Sequence, residues 1–128
     1  PGKFSVHVTF DTAFAHQIEA GCDLLLMPSL YEPCGLNQIY ALRYGTVPVV
    51  RATGGLADTV EDGVTGFTFR DYSIEAFRGA IRRALCAYED RDRWREMVRA
   101  AMARDFSWEA SARRYLQLYD TLVSGKKA

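Results

Sequence analysis

The feature of this sequence best suited to chemistry is a glutamate in a proline-bounded turn, placed just ahead of a glycine and a helix start. The run is Pro28-Ser29-Leu30-Tyr31-Glu32-Pro33-Cys34-Gly35-Leu36-Asn37-Gln38. Backbone N–H groups exposed at a helix start suit a phosphate, and Gly35 lets a ligand approach closely. Glu32 could then accept hydrogen bonds from sugar hydroxyls beside that anion. The competing reading makes Glu32 a surface turn acid that complements a helix dipole. A second loop, Arg51-Ala52-Thr53-Gly54-Gly55-Leu56-Ala57-Asp58, carries two glycines after a short apolar run. Such a pair can form an anion-binding backbone nest, or it can be a flexible turn with no ligand. A third candidate is Phe10-Asp11, where the ring could stack on a flat base or belong to a core.

Other residues carry less. Cys34 sits beside a helix start and could act as a nucleophile, but no base accompanies it in the sequence. His7 lies in a strand-like pattern and His16 on a short helical one, and two histidines make a histidine-based metal site a poor reading. No Walker loop or GxGxxG fingerprint occurs, so P-loop and dinucleotide readings lose support. The arginines at 78, 82, 83, 91, 93, 95 and 99 alternate with acids and read as solvated faces.

The elements that must position these loops alternate. Residues 4–10 (FSVHVTF) are rich in β-branched and aromatic side chains and predict a strand. Asp11 or Thr12 caps a helix to about Ala20 that Gly21 ends. Residues 23–27 (DLLLM) are continuously apolar and predict a strand buried on both faces. A helix over 36–44 stops at Gly45; 46–51 (TVPVVR) is a short buried strand; 56–61 starts a short helix; 65–69 (TGFTF) is a last strand. Ser73 caps a helix to about Tyr88 with Phe77, Ile81 and Leu85 on its buried face. Further helices span 91–104 and start at Ser107, the latter with a stripe of Trp108, Ala112, Tyr115, Leu116 and Tyr119; the polar tail 124–128 is expected to fray. Alternating strands and helices predict an α/β domain with a parallel sheet and right-handed crossovers. In such sheets ligands bind beyond the carboxyl ends of the strands, where all three candidate loops fall.

With 128 residues, the chain has the size of one domain. Apolar residues make up 48% and charged residues 25%, ordinary values for a globular fold. Sixteen basic and sixteen acidic side chains balance, so no basic excess points to nucleic acid or an anionic membrane surface. The apolar runs fall far short of the ~20 residues of a membrane span. Three cysteines without a paired pattern suggest a reducing, cytoplasmic setting. The opening Pro1-Gly2-Lys3, without an initiator Met, predicts a fragment or processed chain.

Taken together, the residues resemble a known pattern. The run Asp23 to Gln38 is similar to the ADxxxMPSxxEPCGLxQ signature of bacterial glycogen synthases and plant starch synthases. The likeness continues through Tyr40-Ala-Leu-Arg-Tyr-Gly-Thr-Val-Pro-Val-Val-Arg51, Thr53-Gly-Gly-Leu-Ala-Asp-Thr-Val60, Thr65-Gly-Phe-Thr-Phe69 and Asp105-Phe-Ser-Trp108, and so covers nearly the whole chain. The resemblance implies a retaining glucosyltransferase with two Rossmann-like domains and its active site in the cleft between them. Glucose would pass from ADP-glucose to the non-reducing end of an α-1,4-glucan, with no metal or other cofactor. By the same resemblance Glu32 is the catalytic acid that holds the glucose and stabilises oxocarbenium charge. The backbone of Cys34, Gly35, Leu36 and Asn37 would face glucose and phosphates, Phe10 would stack on adenine, and Thr53, Gly54 and Gly55 would line the phosphate side. Phe10 departs from the tyrosine common in the family.

The resemblance also implies what this stretch lacks: the partner domain with its KxGGL loop, the first two strands of this domain, and a phosphate-neutralising Arg/Lys pair. Residues 1–128 are therefore expected to be the C-terminal portion of the nucleotide-sugar-binding domain, inactive alone and prone to self-association through exposed strand edges. Two other readings stay open. One is a non-catalytic sugar-nucleotide or glucan-binding module. The other is a UDP-sugar glycosyltransferase, which would carry a second Glu at position 40, where this chain has Tyr40.

Overall fold

Side-chain caps set where four of the six described helices begin. The computed structural model describes residues 3–125; the opening Pro1-Gly2 and the last three residues of the polar tail lie outside them. Asp11 caps α1 (Thr12–Gly21) by accepting the Phe14 N–H at 3.0 Å. Ser73 caps α4 (Ile74–Glu89), Asp90 caps α5 (Arg91–Met102) and Ser107 caps α6 (Trp108–Val123), each accepting the N–H three residues on. Each cap satisfies one of the N–H groups a helix start leaves free. The remaining two, α2 (Asn37–Tyr44) and α3 (Gly54–Thr59), have no side-chain cap.

Between the helices run β1 (Leu24–Met27), β2 (Val47–Arg51) and β3 (Phe67–Phe69). They form a parallel sheet in the order β1-β2-β3, with Leu24 opposite Val47 and Val49 opposite Phe67. Alternation along β2 serves two faces. Val47 and Val49 pack with Phe67 and Phe69 against Ala80, Ala84 and Ala87 of α4 and Trp94 and Met97 of α5. Val50 packs the opposite way, with Leu56, Val60 and Met27. The expected α/β class with a parallel sheet and flanking helices is what the chain adopts.

Four expectations need correction. Residues 4–10 form no strand: the segment makes no ladder, and Phe4, Val6, Val8 and Phe10 are exposed. Among the described residues no strand lies beside it, and an extended backbone without a neighbour has nothing to pair with. The second concerns β1, which is not buried on both faces; Leu26 is exposed and its neighbours are half-buried, because among the described helices only α2 packs substantially on it. In α4 the buried line is Ala80, Ala84 and Ala87, with Phe77 and Ile81 alongside and Leu85 exposed. Small side chains let the helix lie close on the sheet. Finally, α6 buries no residue, and Trp108 is 88% exposed. Its stripe has the spacing of a packed helix but no packing partner among the described residues.

The two sheet edges differ. On β3, Thr68 donates its N–H to Asp62 at 2.7 Å and its carbonyl accepts from Arg83 at 2.6 Å, while Arg83 also grips the Asp62 carboxylate at 2.8 and 3.0 Å. Charged side chains thereby occupy the outward backbone groups of that edge. No strand covers the outer side of β1 among the described residues.

Candidate functional site

The carboxyl ends of β1 and β2 bring the glutamate turn and the glycine pair into contact. The Gly55 N–H donates to the Glu32 carbonyl at 3.1 Å and the Pro33 carbonyl at 3.2 Å. A Cβ at Gly54 would collide with the Glu32 carbonyl oxygen, and one at Gly55 with that of Cys34. Gly54 also has φ of 45°, where a side chain is strained. The pair is neither a loose turn nor an empty nest at Gly55; it is the floor on which residues 32–34 rest. Thr53 precedes it at the start of α3, its N–H bonded to the Arg51 carbonyl at 2.9 Å.

Gln38, in the first turn of α2, locks the other side. Its buried Nε2 donates to the carbonyls of Cys34 at 3.0 Å and Gly35 at 2.9 Å, and reaches Thr59 Oγ1 at 3.3 Å. Thr59 in turn donates to the Gly55 carbonyl at 2.6 Å. Gly35, with φ of 67°, lies so close that a Cβ there would meet Gln38 Oε1 at 2.5 Å. No role for Gln38 was read from the sequence. Its spacing of four from Cys34 at a helix start was the available signal, since a side chain one turn on reaches back to that carbonyl.

This scaffold leaves the start of α2 open. Leu36 occupies the cap position without a capping side chain, and Cys34, Leu36 and Asn37 are exposed while Gly35 is half-buried. The N–H groups of residues 35–38 have no backbone or side-chain acceptor among the described residues. Glu32 is half-buried, and its carboxylate forms no ion pair or hydrogen bond among those residues. Unpaired N–H groups at the positive end of a helix, next to a free carboxylate, can take an anionic group flanked by hydroxyls.

Phe10 lies apart from Glu32. It is fully exposed and borders a crevice of about 270 Å³ between α1 and α2, shared with Asp11, His16, Glu19, Asn37 and Tyr40. Asn37 therefore belongs to both the open helix start and the crevice, and no single described cavity holds Phe10 and Glu32 together. Behind the crevice Glu19 is 5% exposed, its carboxylate 3.3 Å from His16 Nδ1, and His16 meets the Tyr40 ring edge-on at 4.8 Å. A buried acid with a histidine partner was not foreseen; its i,i+3 spacing on a helix was visible.

Titration shifts fall outside this region. Burial pushes the Asp62 carboxyl up, but Arg83 and the Thr68 amide outweigh it and hold it below the ordinary value. Asp105 is lowered chiefly by hydrogen bonds from Ser107.

A model of the family described as glycosyl transferases group 1 matches residues 5–101. The chain is 56% identical over 131 residues to a glycogen synthase of Anaeromyxobacter dehalogenans, covering 98% of this chain and 28% of that protein. It is 54% identical over 126 residues to a glycogen synthase of Koribacter versatilis, covering 94% and 26% respectively. The chain thus spans about a quarter of the length of the curated relatives it matches. Among solved structures it is similar to the catalytic domain of starch synthase IV from Arabidopsis thaliana bound to ADP and acarbose. That likeness has a TM-score of 0.79 and 41% identity, covering 91% of this chain and 26% of that one.

Proposed function

The chain belongs to the group 1 glycosyl transferases, and from that premise we propose that it supplies the nucleotide-sugar side of a glycogen- or starch-synthase-type glucosyltransferase. The observation that carries the reading is the uncapped start of α2 beside the free carboxylate of Glu32, on a loop seated by Gly54 and Gly55. In this reading the N–H groups of residues 35–38 receive the diphosphate, with Cys34, Gly35, Leu36 and Asn37 forming that wall. Glu32 accepts hydrogen bonds from the glucose hydroxyls and stabilises positive charge at the anomeric carbon as its bond to the phosphate breaks. Phe10 stacks on the base, and Thr53, Gly54 and Gly55 shape the phosphate side.

ADP-glucose is the proposed donor; the similarity to a starch synthase structure bound to ADP supports it. The proposed acceptor is an α-1,4-glucan, and residues 1–128 are assigned to the C-terminal part of the donor-binding domain. Turnover belongs to a longer assembly, since the relatives named glycogen synthase are several times longer. No helix among the described residues is long and apolar enough to cross a membrane; a cytoplasmic setting and self-association are part of the proposal.

The test is titration of ADP, ADP-glucose and UDP-glucose into the chain, followed by NMR. Saturable shifts at the amides of residues 34–38, weakened roughly 5- to 100-fold in Phe10→Ala as loss of one base–aromatic stack implies, support the reading. Absence of binding at millimolar ADP-glucose removes it.

A further inference from the structure

The loop that carries Glu32 is seated at its far end by Gly54, Gly55 and Gln38, but its first limb has a different tether. Arg51, the last residue of β2, donates from a terminal guanidinium nitrogen to the Leu30 carbonyl, two residues before Glu32. Its Nε donates to the Arg70 carbonyl at 3.1 Å, and its Cζ lies 5.4 Å from the centroid of the Tyr72 ring. One side chain thus joins the end of β2, the glutamate loop and the segment after β3. Among the described residues, Arg51 forms no ion pair, and residues 28–31 have no other hydrogen-bonded tether. The two hydrogen bonds it makes among the described residues both go to backbone carbonyls. Two carbonyls in different directions suit a planar fork with fixed N–H vectors, which a lysine ammonium cannot reproduce.

We propose that Arg51 is a positioning residue: by holding the Leu30 carbonyl it sets where the Glu32 carboxylate stands relative to a bound sugar. The proposal rests on the reading of Glu32 as the sugar-binding acid. It predicts a loss specific to the sugar, because the phosphate wall at residues 35–38 is held by Gln38, on the other side of the loop.

The experiment compares wild type, Arg51→Ala and Arg51→Lys by ¹⁵N relaxation and by titration with ADP and with ADP-glucose. In Arg51→Ala, order parameters of Ser29 to Glu32 are expected to drop from near 0.85 to below about 0.6, with Val49 and Val50 unchanged. Affinity for ADP-glucose is expected to fall about tenfold and that for ADP by less than about twofold. Arg51→Lys should recover only part of the order. An unaltered loop in Arg51→Ala overturns the proposal, as does an equal loss for both ligands, which would make Arg51 a phosphate contact. Wild type that binds neither ligand while the variant's loop loosens would sink the functional reading and leave the tether standing.

Discussion

At the scale of single residues, the site depends on what is missing from Gly54 and Gly55 as much as on what Glu32 carries. Gly55→Ala isolates close approach, because only Gly54 and not Gly55 has a positive φ. The added methyl meets the Cys34 carbonyl; we expect a stability loss of about 1–3 kcal/mol by denaturant unfolding, the usual cost of overpacking. Asp62 gives a second prediction. Its carboxyl titrates lower folded than unfolded, so its contribution is complete above the unfolded value and disappears as pH falls through the folded one. Asp62→Asn should therefore converge with wild type in urea midpoint as pH drops from about 5 to about 2.5, and be less stable above that window. The side chains are 47% and 45% exposed, so salt should shrink the difference. A gap that stays constant with pH would detach it from this carboxylate.

At the scale of elements, the absence of a side-chain cap marks the two helix starts beside the glutamate loop. Capped α4 and α5 pack on the sheet, while the two uncapped helices begin at the proposed phosphate wall. Helix α6 is capped yet buries nothing, so its periodicity states an amphipathic helix and says nothing of where it docks. Truncation after Phe106 is expected to shift Tm by less than about 4 °C, roughly 1 kcal/mol at this size. Trp94→Ala in α5, where the ring packs edge-on against Tyr88 at 5.0 Å, should cost about 3–5 kcal/mol. Comparable losses from both changes would mean that α6 is docked in solution.

At the scale of the whole molecule, the two sheet edges make opposite statements. Asp62 and Arg83 close the β3 edge, whereas β1 is open and residues 4–10 stay outside the sheet with Phe4, Val6, Val8 and Phe10 exposed. An open edge and an unpaired segment rich in β-branched and aromatic residues are complementary, so exchange between copies of the chain is expected. Light scattering should show a mass that rises with concentration, and Val6→Lys with Val8→Lys should return it toward the monomer. A monomer at millimolar concentration in wild type would refute this.

The sequence by itself determined the α/β class, the position of most helices, and the loops in which Glu32, Cys34–Asn37 and Thr53–Gly55 reside. These follow from local rules: caps, glycine stops, and runs of apolar residues bounded by proline. It did not show that the glycine pair seats the Glu32–Cys34 backbone, and it gave Arg51 and Gln38 no task. Tertiary structure decided those points, because a carbonyl two loops away leaves no trace in local spacing. It also decided against a strand at 4–10 and against a buried α6 stripe. Propensity describes what a segment can do, but pairing and burial need a neighbour, and the neighbour is set by the fold.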